Sequence, residues 1–195
     1  MTTDTGRHLW HLRKNPVLAA LPVAGLESLA AAGELSERPR RTTLYLAGDI
    51  AEHVYFLHGG RVSLLYITNA GRTVNLGLHG GTDVFGESCL WTPAPREDTA
   101  VTATAVLLSR IPRVLLRQVL DDHPRVELRL SEQAVVRRDA TILRLCVALT
   151  GSVRARLAGQ LVELAERGHD TPDGRELAFP MTHQELAARI GTTRE

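Results

Sequence analysis

Cysteine and histidine are the side chains that most often bind metals or act as nucleophiles and bases, and the two cysteines and eight histidines of this chain are scattered. Its two cysteines, Cys89 and Cys146, lie far apart, whereas an iron–sulfur cluster needs about four cysteine ligands. We interpret Cys89 as a small, half-buried packing residue rather than a redox switch, and Cys146 as a packing residue. We predict no metal site and no enzyme, and we expect three histidines to be surface or turn residues rather than haem ligands: His53, His58 and His79.

The composition restricts the class of protein. The chain has 195 residues, is 44% hydrophobic, and carries 23 Lys and Arg against 22 Asp and Glu, for a net charge of +1. This apolar fraction is too high for a disordered tail, and no apolar run approaches the roughly 20 residues of a membrane span. Met1 to Asn15 has no apolar signal segment, and two cysteines make no disulfide framework, so we expect a cytoplasmic protein with no membrane partner.

The type of secondary structure that would position a site differs between successive parts of the chain. Residues 16–33 carry leucines at helical spacing after Pro16 and are predicted as short helices. Glycines then separate short apolar runs over residues 42–111, which is typical of a β-barrel or jelly roll, with a hairpin turn at Asn69 to Arg72. The predicted strands are Val54–Leu57, Val62–Ile67, Val74–Leu76, Val101–Ala103 and Val106–Leu108.

A long helix is predicted from Pro124 to about Leu149. No glycine or proline follows Pro124 until Gly151, and apolar residues recur every seven positions, so the helix would be about 39 Å long. Its apolar stripe can pack against its own barrel or against the same helix of a second subunit, and the periodicity favours neither. The stripe consists of Leu128, Ser131, Val135, Ile142, Leu145 and Leu149.

The C-terminal part begins after Gly151. Ser152 is a suitable N-cap for a second amphipathic helix, residues 168–174 are predicted as a polar turn, and Glu176–Phe179 as a short strand. A capping box then predicts another helix, because Thr182 is followed three residues later by Glu185. Gly191 fits the turn of a helix-turn-helix, with Thr192 or Thr193 as the cap of the next helix.

In this order, these segments resemble the CRP/FNR family of bacterial transcription regulators over nearly the whole chain. Any one segment is a weak signal, but five in the correct order are a strong one. The first hairpins of a cyclic-nucleotide-binding barrel are similar to Leu44–Asp49 and Val54–Val62, and the start of its phosphate-binding cassette is similar to Gly81–Glu87. The exit from the last strand of that barrel is similar to Arg110–Arg113. The dimerisation helix is similar to residues 124–149, and the first half of the DNA-reading motif is similar to Thr182–Glu195.

The resemblance implies an α+β fold in three parts. Residues 1–123 would form a β jelly-roll sensor domain of the cyclic-nucleotide-binding type, residues 124–150 the dimerisation helix and hinge, and residues 151–195 a winged helix-turn-helix domain that is incomplete here. It further implies a homodimer that reads palindromic double-stranded DNA and contacts RNA polymerase.

The resemblance also assigns residues to sites. In the reading motif, Arg194 would contact guanine, Glu195 would accept from cytosine, and Gln184 would touch a phosphate. The implied DNA-binding residues are Thr182, Gln184, Thr193, Arg194 and Glu195, and the implied effector-pocket residues are Gly86, Glu87, Ser88, Arg96, Glu97, Asp98, Thr99 and Thr141.

The cassette departs from the family pattern at one place. Nucleotide-binding members use a glutamate on the ribose, which Glu87 matches, and an arginine followed by serine or threonine on the cyclic phosphate. That pair falls on Glu97-Asp98 when counted forward from Gly86, or on Arg96-Glu97 when counted back from Ile111. Either way a carboxylate replaces the hydroxyl, and two like charges about 4 Å apart cost on the order of 1–4 kcal/mol. We therefore expect no cofactor and no tight cAMP binding, although another small effector is compatible with this cassette.

Three other functions remain open at this point. The chain could be a ligand-sensing and dimerisation module without DNA binding, or a cAMP-responsive regulator. A cupin-type metalloenzyme is a third, although His53 and His58 are five residues apart and do not form the His-x-His pair of that class. Because the given sequence stops at Glu195, one turn into the recognition helix, we expect this chain as written to bind specific DNA weakly or not at all.

Overall fold

The N-terminal region is helical and packs against one face of a β-sheet. The computed structural model describes residues 3–68, 71, 73–150, 152–166, 168–171, 174–176, 181–190 and 192. Helix α1 spans Thr3–Arg13, a short 3-10 turn spans Leu18–Ala20, and α2 spans Val23–Ala32, so the helices predicted within residues 16–33 are confirmed. Helix α1 was not predicted, because its mean hydropathy is low and its apolar residues are few.

Eight strands form two four-stranded antiparallel sheets, as the strand pattern predicts. The first sheet has the order β1-β8-β3-β6 and the second has the order β2-β7-β4-β5. The five predicted strands correspond to β3, β4, β5, β7 and β8, whereas β1, β2 and β6 were not found from the glycine spacing. The strands are β1 Glu34–Arg38, β2 Thr43–Tyr45, β3 His53–Gly59, β4 Arg61–Ile67, β5 Thr73–Gly80, β6 Val84–Phe85, β7 Thr99–Thr102 and β8 Val106–Pro112.

Strand β3 is buried on both of its faces. Val54 and Phe56 point to a core that they share with α2 and the helices after the barrel. Tyr55 and Leu57 alternate with them and point into the barrel. The first sheet is therefore the middle layer between the helices and the second sheet, and the cassette is attached to it through the pairing of β3 with β6.

Two helices follow the barrel. Helix α3 spans Arg113–Asp122 and α4 spans Pro124–Thr150, which confirms the long helix predicted over residues 124–149. Val126 and Leu130, near the start of α4, are each 1% exposed and belong to the helical core. The first turns of α4 are thus anchored to the barrel.

The C-terminal part contains α5 (Val153–Glu166), a hairpin of β9 (His169–Thr171) and β10 (Gly174–Glu176), and α6 (His183–Arg189). The expected polar turn at residues 168–174 is wrong in part, since β9 lies inside it and pairs with β10. The predicted strand at Glu176–Phe179 begins earlier, within β10, and its residues 177–179 lie outside the described residues, as do three of the predicted turn at Asn69 to Arg72.

Both predicted helix starts are found in the C-terminal part. The backbone N–H of Ala155 donates to the Ser152 hydroxyl over 3.2 Å at the start of α5. At α6, the Thr182 side chain accepts from the Glu185 backbone while the Glu185 carboxylate accepts from the Thr182 backbone. This reciprocal capping box satisfies two backbone donors that a short helix would otherwise leave unpaired.

Candidate functional site

The cassette turns sharply between β6 and a short 3-10 helix, Glu87–Leu90. Gly86 lies at this turn with a φ of 70°, a left-handed conformation that favours glycine. A Cβ on Gly86 would lie 2.7 Å from the Nη1 atom of Arg96. Glycine is therefore favoured here by its conformation, and any other residue would also have to displace the end of the Arg96 side chain.

Arg96 is buried, and its guanidinium contacts the chain's own backbone. It donates to the carbonyl oxygen of Gly86 over 2.8 Å and to the carbonyl oxygen of His53. Its charged centre also lies 4.4 Å from the centroid of the Tyr45 ring, a cation–π arrangement. Two carbonyls and an aromatic face thus fix this cation behind the cassette turn.

Glu87 and Arg137 form an ion pair that joins the cassette to α4. The Nη2 atom of Arg137 lies 2.5 Å from a carboxylate oxygen of Glu87, and Arg137 also donates to the Val84 carbonyl. The side chains are only 16% and 21% exposed. Burial raises the pKa of Glu87 above its usual range, and the nearby positive charge of Arg137 opposes that rise.

Asp98 adds a second carboxylate to the same region. It accepts weak hydrogen bonds from the Tyr45 hydroxyl at 3.3 and 3.4 Å. Burial raises the pKa of Asp98, with Arg96 opposing, and the Asp98 charge contributes to raising the pKa of Glu87. We call Glu87, Arg96, Asp98 and Arg137 the cassette cluster, in which two cations face two carboxylates.

Other residues expected in the pocket lie around this cluster. Ser88 and Glu97 are exposed. Thr99 is buried and accepts a hydrogen bond from the backbone N–H of Ala47 over 3.1 Å. Thr141 lies one turn after Arg137 on α4, and its hydroxyl donates to the Arg137 carbonyl oxygen over 2.9 Å. Sequence reasoning missed Arg137, although its spacing of four residues from Thr141 places both on one face of the helix.

The face of α4 expected at a dimer interface is exposed in the chain. Leu128, Val135, Ile142 and Leu145 are 59%, 46%, 51% and 57% exposed. Ser131 is half-buried, and nothing is described of the Leu149 side chain. Two further apolar residues, Val136 and Leu143, extend the patch. We call the exposed set the α4 stripe: Leu128, Val135, Val136, Ile142, Leu143 and Leu145.

The reading motif is described as far as α6 and Thr192. Thr182 and Gln184 are exposed at the start of α6, where side chains can reach a ligand. Ala187 and Ile190 are buried, and the Ile190 carbonyl accepts from the guanidinium of Arg156 on α5 over 2.9 Å. The three remaining predicted DNA contacts lie outside the described residues: Thr193, Arg194 and Glu195.

The expectation that three histidines lie at the surface or in turns is wrong for His79 and only partly met by His53 and His58. His79 is buried in β5, and His53 and His58 are half-buried in β3, because this strand is central in the first sheet. The Nε2 atom of His58 lies 2.6 Å from the Ser109 hydroxyl, and Nε2 of His8 lies 2.8 Å from the same hydroxyl. We call His8, His58 and Ser109 the histidine cluster.

The cysteines also differ from expectation. Cys89 is fully buried rather than half-buried, because it belongs to the core beneath the cassette helix. Burial raises the pKa of its thiol. Cys146 is exposed, since it follows the α4 stripe beyond the part of α4 that the barrel covers.

The described part of the chain lacks two other kinds of feature. No group of three or more His, Cys, Asp or Glu side chains there could hold a metal ion, so nothing in it supports the cupin-type alternative. None of the described helices is both long enough and apolar enough to cross a membrane.

Comparison with known families divides the chain as the geometry does. Residues 36–123 match the cyclic nucleotide-binding domain, and residues 155–195 match the Crp-like helix-turn-helix domain. The first match covers the strands and the cassette, and the second covers α5, the hairpin and α6.

Individual proteins are similar over most of the chain. The global nitrogen regulator of Synechocystis is 31% identical over 183 residues, covering 92% of this chain and 80% of that protein. The CRP-like cAMP-activated global transcriptional regulator of Mycobacterium tuberculosis is 29% identical over 158 residues, covering 80% and 70%. Among solved structures, the c-di-GMP responsive global regulator CLP of Xanthomonas campestris has a TM-score of 0.77 at 25% identity, covering 89% and 86%.

Proposed function

Because the chain belongs to the CRP/FNR family of bacterial transcription regulators, we propose that it acts as a homodimer that binds palindromic double-stranded DNA. Residues 1–123 would be the sensor, residues 124–150 the dimer helix and hinge, and residues 151–195 the DNA-reading part. RNA polymerase is the partner through which such a cytoplasmic regulator would act. The family is one of regulators rather than enzymes.

The α4 stripe is the observation that carries the proposed dimer. Each buried Leu, Ile or Val side chain contributes about 1.5–3 kcal/mol relative to its exposed state. Six such residues on one helix exceed the isolated apolar side chains that soluble proteins usually expose, and Leu128, Val135 and Ile142 lie along a single line of it. Pairing of two α4 helices would cover the stripe and relate the two helix-turn-helix domains by a two-fold axis. Two domains related in this way match the two half-sites of a palindromic DNA sequence.

The dimer is tested by measuring mass in solution. We expect the protein to sediment as a dimer at micromolar concentration and Ile142→Asp to sediment as a monomer, because a carboxylate would be buried in the pair. The matched control is Val114→Asp, which places the same charge at a residue of α3 that is 63% exposed. A monomeric wild type, or a variant that stays dimeric, would overturn the proposed interface.

DNA binding is tested with the full-length gene product. We expect retardation of a palindromic duplex selected from a random pool, with Gln184→Ala weakening binding similarly for all sequences because Gln184 would contact phosphate. No retardation under any effector would favour a sensing and dimerisation module without DNA binding.

We also propose that cAMP does not control this protein in the usual way. The supporting observation is the cassette cluster, where both guanidinium groups are already bound to carbonyls or to Glu87. Asp98 adds a carboxylate where a cyclic phosphate would bring another negative charge. Relatives of comparable similarity are described as cAMP-activated and as c-di-GMP responsive, so the effector has to be argued from this cassette.

A thermal-shift screen tests the effector proposal. We expect no change in Tm with micromolar cAMP for the wild type, whereas cGMP, cyclic di-GMP and haem are screened beside it as other effectors. Two variants restore the arginine and hydroxyl pair of the nucleotide-binding family members. In the alignment counted forward from Gly86 this takes Glu97→Arg together with Asp98→Ser. In the alignment counted back from Ile111 it takes Glu97→Ser alone, because Arg96 is already present. A rise in Tm of several degrees for the wild type would establish the cAMP-responsive alternative.

A further inference from the structure

Helix α6 lies against the outer face of the second sheet of its own chain. A cavity of about 280 Å³ lies between them, lined by Leu65, Leu78, Val101 and Met181 and by the polar pair Arg40 and Glu185. The lining comes from the turn before β2, from three strands and from the start of α6. The sensor and the reading motif therefore meet across a defined surface.

Glu185 uses its two carboxylate oxygens for different tasks. Oε2 accepts from the backbone N–H of Thr182 over 2.9 Å and from the Thr182 hydroxyl over 3.0 Å, which completes the capping box. Oε1 forms the ion pair with the Arg40 guanidinium. One carboxylate thus sets both the start of α6 and the attachment of α6 to the barrel.

The turn that carries Arg40 is itself held in place. Arg41 has a φ of 64°, a left-handed conformation that is uncommon for a residue other than glycine. Its backbone N–H donates to the Thr102 carbonyl over 2.8 Å, and the Thr102 hydroxyl donates to the Pro39 carbonyl over 2.7 Å. Thr102 is 1% exposed at the end of β7, the strand that starts directly after Asp98 of the cassette.

The opposite side of α6 remains open. His183 and Gln184 are exposed, whereas Glu185 and Met181 on the barrel side are half-buried. The first helix of a helix-turn-helix crosses the DNA backbone, and its polar side chains contact phosphate. Attachment to the barrel and contact with phosphate therefore use different sides of α6 and can occur together.

We propose that Arg40, a residue of the sensor barrel, is a positioning residue for DNA binding. It acts through Glu185, because their ion pair fixes the orientation in which α6 is presented to the DNA. This inference rests on the proposed DNA-binding function and adds to it a contact between the turn before β2 and the reading motif.

The test compares Arg40→Gln, Arg40→Lys and Arg38→Gln in the full-length gene product, using the selected palindromic duplex. Arg40→Gln should weaken binding roughly two- to fivefold, which is the value of one half-exposed ion pair. Arg40→Lys keeps the positive charge and should restore most of the affinity. Arg38→Gln removes the same charge from a neighbouring position whose partner is Glu34, so it controls for long-range attraction to DNA.

A second measurement does not need DNA. Hydrogen exchange at the α6 amides should be faster in Arg40→Gln than in Arg38→Gln or the wild type, because α6 has lost its attachment. Unchanged exchange in Arg40→Gln would overturn the proposal, and so would unchanged or tighter DNA binding. A wild type that binds no DNA would instead refute the proposed function, while the exchange comparison would still decide whether Arg40 holds α6.

Discussion

The barrel contains two buried polar clusters that are built from opposite kinds of groups. The cassette cluster has two carboxylates and two guanidinium groups, held by an ion pair and backbone carbonyls. The histidine cluster is a chain of neutral hydrogen bonds from His8 through the Ser109 hydroxyl to His58. The first meets α4 and the second meets α1, so each ties a helix to the strands.

The two clusters differ in how they would respond to a ligand. In the histidine cluster, Nδ1 of His8 lies 3.0 Å from the Ala30 carbonyl oxygen and so carries a proton, which leaves Nε2 to accept from Ser109. Its members are joined by hydrogen bonds rather than by an ion pair. The cassette cluster is stabilised by attraction between opposite charges. Because this attraction acts over several ångströms, an anion that binds nearby changes the electrostatic energy of the cluster.

The largest expected effect comes from removing one charge of the cassette cluster. Arg137→Gln should lower the free energy of unfolding by about 2–4 kcal/mol, because it leaves Glu87 largely buried without its counter-ion. Urea denaturation at pH 7 measures this difference. Arg138→Gln, which removes an exposed arginine from the next position, should cost less than about 0.5 kcal/mol. Equal stabilities of the two variants would mean that the cassette cluster depends on charge no more than the surface does.

A smaller effect is expected from the histidine cluster. Ser109→Ala should cost about 1–2 kcal/mol, because Ser109 is fully buried and its loss leaves two imidazole nitrogens without their shared partner. The matched control is Ser63→Ala, which changes a half-buried serine of β4. If Ser109→Ala cost as much as Arg137→Gln, the contrast between neutral and charged clusters would fail.

The third expected effect is a difference in pH dependence, which is small near pH 7 and grows as the pH falls. Burial, with smaller contributions from His11 and His8, lowers the pKa of His58 from 6.5 to about 4. The unfolded chain then binds a proton more readily than the folded chain, so stability should decrease as the pH falls from about 7 towards 4. The raised pKa of Glu87 acts in the opposite direction, since its contribution is present at low pH and lost as the pH rises.

His58→Gln separates these two contributions. Glutamine keeps a hydrogen-bond donor near Ser109 but has no titrating group, so the decrease in stability between pH 7 and 5 should be smaller than in the wild type. Urea denaturation at several pH values measures both slopes. Parallel slopes would show that His58 does not titrate differently in the folded chain.

Local sequence patterns predicted the elements of this fold better than its contacts. The heptad spacing gave α4 almost to the residue, and the glycine spacing gave five strands. Four residues of the α4 stripe were predicted, whereas Val136 and Leu143 were not, and the periodicity left open which partner covers the stripe. Val126 and Leu130 are the residues that meet the barrel, and they lie off the heptad positions.

The contacts of the candidate site join residues that are far apart in the sequence and meet only in the folded chain. Glu87 and Arg137 are 50 residues apart, and no local pattern links them. His58 was misjudged because β3 is buried on both faces, so its sequence has no alternation to separate a buried position from an exposed one. The position of the cassette glycine could be predicted. Gly86 precedes a short helix at a turn that needs a left-handed backbone conformation, which glycine adopts most easily.

Helix α4 has Arg137 near its middle and only its first turns in the core. About 20 Å of helix extends from Arg137 to Thr150, shortly before α5 and the residues that match the Crp-like helix-turn-helix domain. A tilt of about 5° at the cassette would move that far end by roughly 2 Å. A small change of angle around Glu87 would therefore become a displacement of atomic size where α4 meets α5.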